Sequence, residues 1–259
     1  VSAELEQRFA SGVAALASGG LDVQALWDGL AQVCFRAERE EPVARTLAGV
    51  RIGIARDAAF SFIYAANVQL LEAMGAELSF FSPLDDIALP EVDALWLPGG
   101  YPELHAAALG ANHSMRDAII AFHHAGAPIL AECGGLLYCL ETLTDLDGVS
   151  TPMLGILPGH GAMRGKRGCQ GMQTALLPEG EVRAHAHHRS RSAGTPEPIS
   201  YARRQRHPAP GEAVYRQGGL TATYLHLFFP DNPEAMANLF RPATANSVVT
   251  QQRGRGNGG

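Results

Sequence analysis

The hydrophobic and polar positions along the chain divide it into a short helical segment and a longer alternation of strands and helices. Apolar residues recur at helical spacing over residues 5–16 and 26–33, with two glycines between the patterns and Asp22 placed to cap the second helix. Residues 36–42, which are rich in charge and end in proline, predict a linker. We therefore expect residues 1–48 to stand apart from the domain that follows.

The later part of the chain alternates short apolar segments with helical patterns. Strands joined by helices in this way form a parallel sheet with crossover helices on both faces. Between residues 153 and 219, short segments of Thr, Val and Ile are separated by Gly and Pro, which is typical of an antiparallel extension. The predicted fold class is therefore α/β. The predicted strands are 50–55, 77–81, 93–97, 128–132 and 220–225, and the predicted helices are 62–74, 103–109, 114–125 and 232–240.

Composition narrows the classes of function. Of 259 residues, 46% are hydrophobic and 18% are charged, as in a chain that buries a core. The net charge of -6 argues against nucleic acid as a partner. The sequence shows neither an apolar run of about 18 residues nor a signal peptide, so we expect no membrane partner and a cytoplasmic location. The chain opens with Val1 rather than Met, and we expect it to be the C-terminal part of a longer protein.

One cysteine stands in a setting that favours catalysis. Residues 129–138 (ILAECGGLLY) run from an apolar strand through Cys133 and two glycines into a helical pattern, which is the layout of a nucleophile elbow. The helix N-terminus behind the cysteine stabilises a thiolate, and small neighbours free a main-chain N–H for a developing oxyanion. We predict that Cys133 is a nucleophile, whereas Cys34, Cys139 and Cys169 are structural.

Two further features could meet Cys133 at the same edge of the sheet. Residues 97–103 (LPGGYPE) also end a strand, and loops at the carboxyl ends of neighbouring parallel strands converge on one crevice. An ordinary strand-to-helix turn is the alternative interpretation of this glycine pair. His226, within residues 223–229 (TYLHLFF), ends a strong strand pattern and is a candidate base for the cysteine.

Two other patterns are weaker. His185, His187 and His188 (in HAHH) are separated in the sequence from any cysteine or carboxylate cluster, so we expect no metal site. Residues 161–167 (GAMRGKR) lack the spacing of a phosphate loop and its final Ser or Thr, so no ATP site is expected in this chain. Nine basic residues against three acidic ones over residues 163–207 indicate either a solvated face or a face toward an anionic ligand or partner domain.

At this point the sequence resembles the class I glutamine amidotransferase superfamily and, within it, the cobyrinic or hydrogenobyrinic acid a,c-diamide synthases. The resemblance covers residues 50–242 and implies a flavodoxin-like parallel sheet with helices on both faces and an antiparallel extension. It rests on ordered blocks at 54–64 (IARDAAFSFIY), 75–84 (GAELSFFSPL), 99–103 (GGYPE), 131–138 (AECGGLLY) and 224–233 (YLHLFFPDNP).

The resemblance also implies roles for individual residues. Cys133 would attack the side-chain amide carbon of glutamine, and main-chain donors at Gly100 and Gly134 would hold the oxyanion. His226 would protonate the departing ammonia, and water would then release glutamate from the thioester. Gly99 belongs with the oxyanion and glutamine-binding group, and the candidates on the substrate side are Tyr101, Glu103, His185 and His188.

The sequence departs from the family pattern at three places. Many class I amidotransferases carry a glutamate two residues after the histidine, where Phe228 stands here, so we predict a Cys–His dyad. Residues 183–190 (RAHAHHRS) align with a stretch that in the family usually reads closer to GHEFHYS. This difference affects the expectation that these residues face the corrinoid, which is the substrate of the synthases. The family's N-terminal nucleotide-binding domain has no counterpart here, and residues 1–48 look like its last two helices.

These observations predict a glutaminase domain at residues 49–242, followed by a disordered tail at 243–259. Its partners would be glutamine, the corrinoid, an N-terminal synthetase domain that holds ATP and Mg²⁺, and in one possible assembly a second copy of the chain. The whole enzyme would amidate the a and c carboxylates of cobyrinate or hydrogenobyrinate. Two alternatives stay open. One is a silent docking or regulatory domain with an inert Cys133, and the other is a different cysteine hydrolase, several of which place histidine where Gly134 stands.

Overall fold

The computed structural model describes residues 3–31, 34, 43–165 and 168–242, and the chain divides into two compact units at Pro42 and Val43. The predicted tail at 243–259 lies outside the described residues. Across the described ranges, no helix combines the length and the hydrophobicity that spanning a bilayer requires.

The first unit contains two helices in its described part, α1 (Ala3–Ser18) and α2 (Val23–Asp28). The carboxylate of Asp22 accepts a hydrogen bond of 2.9 Å from the main-chain N–H of Ala25, so it caps α2 as the sequence predicts. The helix ends at Asp28, earlier than its apolar pattern suggested, because Gly29 caps it. Part of the predicted linker, residues 35–42, lies outside the described residues.

The second unit begins before the predicted boundary at residue 49. Leu47 is fully buried, and its N–H donates to the main-chain oxygen of Met74 at 2.9 Å. The elements of this unit follow in chain order. Its strands are β1 (Arg51–Ala55), β2 (Glu77–Phe81), β3 (Ala94–Leu97), β4 (Ile129–Glu132), β5 (Thr142–Thr144), β6 (Ser150–Pro152), β7 (His160–Met163), β8 (Cys169–Leu177), β9 (Gly180–His188), β10 (Ser190–Ala193), β11 (Ser200–Arg204), β12 (Pro210–Gln217), β13 (Leu220–Thr223) and β14 (Leu225–Leu227). Its helices are α3 (Ala65–Ala73), α4 (Ala106–Ala111), α5 (His113–His124), α6 (Gly134–Cys139) and α7 (Pro233–Phe240), with 3₁₀ turns at Pro102–Leu104 and Phe229–Asp231.

The main sheet has a parallel half and an antiparallel half. Strands β2, β1, β3, β4 and β13 lie side by side and are all parallel. Beyond β13 the order continues through β12, β11, β8, β9 and β14, and every one of these pairings is antiparallel. A second, smaller sheet has the strand order β10, β7, β5, β6.

The antiparallel half curls back on itself. Strands β13 and β14 are joined by one residue, Tyr224, yet four other strands separate them in the sheet order. The two ends of this series must therefore meet at Tyr224, and the sheet closes there into a barrel-like curl. This closure brings β14, and with it His226, next to the end of β4.

Helices cover both faces of the parallel half. The central strands β3, β4 and β13 are buried along their whole length, as expected where both faces are covered. Side chains of β4 alternate between two cores, with Ile129 and Ala131 on the face covered by α4, α5 and α6, and Leu130 on the face covered by α3 and α7.

The predicted α/β fold, with helices on both faces and an antiparallel extension, is confirmed. Two details differ. The extension is as large as the parallel half, so the sheet as a whole is mixed and curled. The predicted helix at 103–109 divides at His105, and the predicted strand at 220–225 divides at Tyr224, where the chain leaves β4 for β9.

Candidate active site

Cys133 occupies a strained position at the tip of β4. Its φ is 47°, and among the residues that the structure describes it is the only one besides glycines with a positive φ. Such a conformation is costly unless the surroundings enforce it. Two main-chain bonds enforce it, since the N–H of Cys133 donates to the oxygen of Thr223 at 2.8 Å and its own oxygen accepts from Leu137 at 3.1 Å. The sequence therefore folds here as the sharp strand-to-helix elbow that its residue pattern predicts.

The two glycines after Cys133 permit very close packing. A Cβ on Gly135 would lie 2.0 Å from the main-chain oxygen of Leu97, and one on Gly134 would lie 2.9 Å from the main-chain nitrogen of Gly100. Any larger residue would push the elbow away from the end of β3. The main-chain nitrogen of Gly100 consequently lies close to the Cα of Gly134, the residue that follows Cys133.

The glycine loop after β3 lies against both the elbow and the histidine. A Cβ on Gly100 would lie 2.0 Å from the oxygen of Ala59, whereas one on Gly99 would lie 2.2 Å from Cε1 of His226. The oxygen of Gly99 also accepts a hydrogen bond of 3.0 Å from the N–H of Phe62. The loop is thus a close-packed element that contacts both the elbow and His226.

His226 lies on β14 with its ring buried at 3% exposure. Its ring centroid is 4.3 Å from that of Phe62. Its Nδ1 is buried and makes no hydrogen bond within the described ranges. Phe228, two residues after His226, is 41% exposed. The described side chains therefore offer His226 no carboxylate orienter, which is the arrangement expected of a dyad.

Both residues open into one cavity of about 500 Å³, a size typical of small-molecule sites. Every predicted site residue except Gly99 and Gly134 lines it. Gly99 instead supports the ring of His226, and Gly134 directly follows Cys133. The structure therefore brings the predicted residues together, and Phe62, His187 and Arg189 join them in the lining.

Burial sets the protonation of the Cys–His pair. It raises the pKa of the Cys133 thiol to about 12, although the main-chain N–H of Gly134 acts in the opposite direction. It lowers the pKa of His226 to about 4, and the neighbouring His185 contributes to this shift. The thiol donates a long hydrogen bond of 3.8 Å to the main-chain oxygen of His187. Both shifts favour a neutral thiol and a neutral imidazole in the resting pair.

Two buried polar residues that the sequence analysis missed hold the strand of His226 in place. Glu132, directly before Cys133, accepts hydrogen bonds from Nε1 of Trp96 at 2.8 Å and from the main-chain N–H of Leu227 at 2.7 Å. Asn67 on α3 donates through Nδ2 to the oxygen of Leu227 at 2.8 Å and accepts through Oδ1 from the N–H of Phe229 at 2.9 Å. The only sequence signal for Glu132 was its place inside the AECGG block, and Asn67 had none.

The chain is similar to several known proteins. The model of the CobB/CobQ-like glutamine amidotransferase domain matches residues 51–234. The hydrogenobyrinate a,c-diamide synthase of Pseudomonas aeruginosa is 49% identical over 211 residues, which is 82% of this chain and 48% of that protein. The cobyrinate a,c-diamide synthase of Herminiimonas arsenicoxydans is 45% identical over 218 residues, which is 83% of this chain and 50% of that protein. Among solved structures, PurLQS from Thermotoga maritima overlaps 68% of this chain and 87% of its own, with a TM-score of 0.49 and 16% identity. The chain spans about half the length of the curated relatives it matches.

Proposed function

This chain belongs to the family of CobB/CobQ-like glutamine amidotransferases, and from that membership we propose that it hydrolyses glutamine with Cys133 as nucleophile and His226 as acid and base. The observation that carries the proposal is the elbow. A strained cysteine, the glycine loop at Gly100 that packs against Gly134, and a buried histidine meet at one cavity. A structural cysteine needs none of these features.

The neutral pair defines the first step. The sulfur of Cys133 attacks the side-chain amide carbon of glutamine while the neutral imidazole of His226 takes the thiol proton. The carbonyl oxygen becomes an oxyanion, which the N–H groups of Gly100 and Gly134 stabilise. The imidazolium then gives its proton to the amide nitrogen, the carbon–nitrogen bond breaks, and ammonia leaves a thioester on Cys133.

Water completes the cycle. The imidazole of His226 removes a proton from a water molecule, which attacks the thioester carbon, and the proton passes to the departing sulfur of Cys133. Glutamate leaves and the thiol is restored. The ammonia is the product that a synthetase would use.

The names of the relatives suggest what that synthetase makes. In this proposal, a nucleotide-binding domain supplies ATP and Mg²⁺, and ammonia from Cys133 amidates the a and c carboxylates of cobyrinate or hydrogenobyrinate. Support comes from relatives at 49% and 45% identity that are twice as long as the matched region. The candidates on the substrate side, Tyr101, Glu103, His185 and His188, line the cavity and are available to face that second site. We place the enzyme in the cytoplasm.

Release of glutamate from glutamine tests the proposal. We expect release by the full chain to disappear in Cys133→Ser and to persist in Cys34→Ser, since Cys34 is exposed and stands outside the elbow. Adding the nucleotide-binding half of a matched relative, with ATP and corrinoid, should increase the rate. Absence of glutamate release by the wild-type chain under all these conditions would exclude a glutaminase.

A silent docking domain is the second candidate. It is favoured by the raised pKa of the Cys133 thiol and by the hydrogen bond from that thiol to the oxygen of His187. In that case Cys133→Ser would leave the activity of the assembled synthase unchanged with ammonia and with glutamine alike. Loss of the glutamine-dependent activity alone would exclude it.

A further inference from the structure

Three side chains far apart in the sequence converge on the curled half of the main sheet. They are Cys169 at the start of β8, His188 at the end of β9 and Glu212 in β12. One sulfur, one ring nitrogen and one carboxylate oxygen lie within 4.8 Å of one another. We propose that Cys169, His188 and Glu212 form a three-ligand site for a borderline-soft divalent cation such as Zn²⁺. A metal is not expected from the sequence, because no cysteine or carboxylate cluster lies near His188 in the chain, but the fold brings both residue types to it.

The spacing suits a tetrahedral ion after a small adjustment. Zinc lies about 2.0–2.3 Å from such ligands, so its ligand atoms are about 3.5 Å apart. Nε2 of His188 is already 3.4 Å from Oε2 of Glu212, and Cys169 pairs directly with His188 in the register of β8 and β9. A movement of about 1 Å by the cysteine side chain completes the three distances.

The histidine is oriented as a metal ligand. Its Nδ1 lies 3.1 Å from the main-chain oxygen of Ser190, to which it donates in the Nδ1–H tautomer, and this leaves the lone pair of Nε2 free. Nε2 is buried and makes no hydrogen bond within the described residues, and the nearest carboxylate oxygen is Oε2 of Glu212 at 3.4 Å. The ring of Tyr224 stacks on His188 at 4.1 Å and limits its rotation. A cation between the two would bind the lone pair of Nε2 and the carboxylate of Glu212 together.

A second layer of contacts positions the other two ligands. Oε1 of Gln173, a buried residue, accepts from the main-chain N–H of Glu212 at 2.8 Å, and its Nε2 lies 3.9 Å from Sγ of Cys169. Such outer contacts are typical of metal sites. Arg204 is the competing cation, since its charge acts on both Glu212 and Cys169.

The ligand set selects the class of ion. One thiolate, one imidazole and one carboxylate suit zinc and similar transition metals, whereas Mg²⁺ and Ca²⁺ require mostly oxygen ligands. Binding would release the thiol proton of Cys169 to solvent. Because His188 also lines the cavity of Cys133, the ion would fix one wall of the catalytic cavity and tie β8, β9 and β12 together.

Cobalt titration tests the site without reference to catalysis. The full chain carrying Cys34→Ser and Cys133→Ser lacks the exposed thiol and the catalytic thiol. It keeps Cys169 and Cys139, and Cys139 is fully buried, so an absorption band from a thiolate bound to Co²⁺ reports on Cys169. We expect a saturable band and a rise in Tm when Zn²⁺ is added in its place. Absence of both would overturn the proposal.

Single substitutions in the same background locate the ion. Cys169→Ser should abolish the band. Gln173→Leu removes an outer contact and should weaken Zn²⁺ binding by ~10- to 100-fold. Glu212→Gln removes a ligand and should weaken Zn²⁺ binding by more than Gln173→Leu does. Arg204→Gln should tighten binding, because it removes the competing cation, and His185→Ala should leave it unchanged. A band that survives Cys169→Ser, or one that His185→Ala abolishes, would place the metal elsewhere and refute the assignment.

Discussion

The carboxyl group of Glu132 accepts a hydrogen bond of 2.7 Å from the main-chain N–H of Leu227. This bond joins the residue before Cys133 to the residue after His226, across 95 positions of sequence. It connects β4 to β14 at the place where the curled sheet closes on itself. The relative position of nucleophile and base therefore depends on a buried side chain that touches neither the thiol nor the imidazole in any described hydrogen bond.

Replacing Glu132 with Gln should impair catalysis more than binding. Above pH 8 the ionised carboxylate presents two acceptors to two N–H donors, whereas the amide presents one acceptor and one donor, so either Trp96 or Leu227 loses its partner at a cost of about 1–3 kcal/mol. A misplaced His226 can then reduce kcat by up to ~100-fold with little change in KM. Steady-state glutamate release measures both, and Glu72→Gln on the exposed side of α3 is the matched control. An unchanged kcat would contradict the positioning role.

Glu132 should also make stability depend on pH. Burial raises its pKa to about 8 from an ordinary 4.5, so the folded state binds this proton more tightly than the unfolded chain does. Its contribution to the free energy of unfolding is complete below pH 4.5 and is lost as the pH rises through 8. Urea unfolding across this range should show the decline in the wild type and a flatter profile in Glu132→Gln. Parallel profiles would show that the carboxyl group does not titrate in this range.

Asn67→Leu should destabilise the protein strongly. The substitution leaves the oxygen of Leu227 and the N–H of Phe229 buried without partners, at about 1–3 kcal/mol for each group. Urea unfolding should show a loss of about 2–6 kcal/mol, whereas Asn238→Leu on the exposed side of α7 should change stability little. Equal losses in the two variants would argue that Asn67 has no special role.

Gly99→Ala should displace the ring of His226 while keeping the fold. The added Cβ would lie 2.2 Å from Cε1 and 2.9 Å from Nδ1 of that ring, so the imidazole must move. We expect glutamate release to fall by about 100-fold, with circular dichroism unchanged. Gly12→Ala in α1, where a Cβ meets no atom within 4 Å, is the control. Full activity in Gly99→Ala would mean that His226 is not the base.

Alkylation should distinguish the buried thiol from the exposed one. At neutral pH, iodoacetamide should label Cys34 faster than Cys133, because Cys133 is buried and its pKa is raised to about 12. The rate at Cys133 should continue to rise through the alkaline range. Mass spectrometry of the labelled peptides measures each rate separately. Faster labelling of Cys133 at neutral pH would show that it rests as a thiolate.

Local patterns were sufficient for the parallel half of the fold and for the elbow. Strand β2 begins and ends where its apolar run predicts, and the placement of Cys133 follows from the small residues that come after it. Such features depend on neighbours in the chain. The closure at Tyr224 does not depend on neighbours in the chain. It arises because β13 pairs with β4 whereas β14 pairs with β9, and both partners are distant in the sequence.

The contacts that organise the site could not be predicted from the sequence either, because they join residues that are distant in the chain. Asn67 and Leu227 are 160 positions apart, and Cys169 reaches Glu212 only through the pairing of three strands. The protonation of Cys133 likewise depends on more than its neighbours in the chain, since the helix N-terminus is visible in the sequence, whereas the burial that opposes it is a property of the packed cavity.

The active site depends on the number of residues between β13 and β14, where Tyr224 stands alone, as well as on the types of residue that line it. Successive side chains of a strand point to opposite faces, and one residue between β13 and β14 leaves His226 facing the cavity while Leu225 and Leu227 enter the core. One residue more or less at this corner would preserve both ladders of main-chain hydrogen bonds and reverse the three side chains. A chain could then retain every motif of this family and yet present a leucine to its cysteine. Counting the residues at the corner is therefore a separate criterion for separating active homologues from inactive ones.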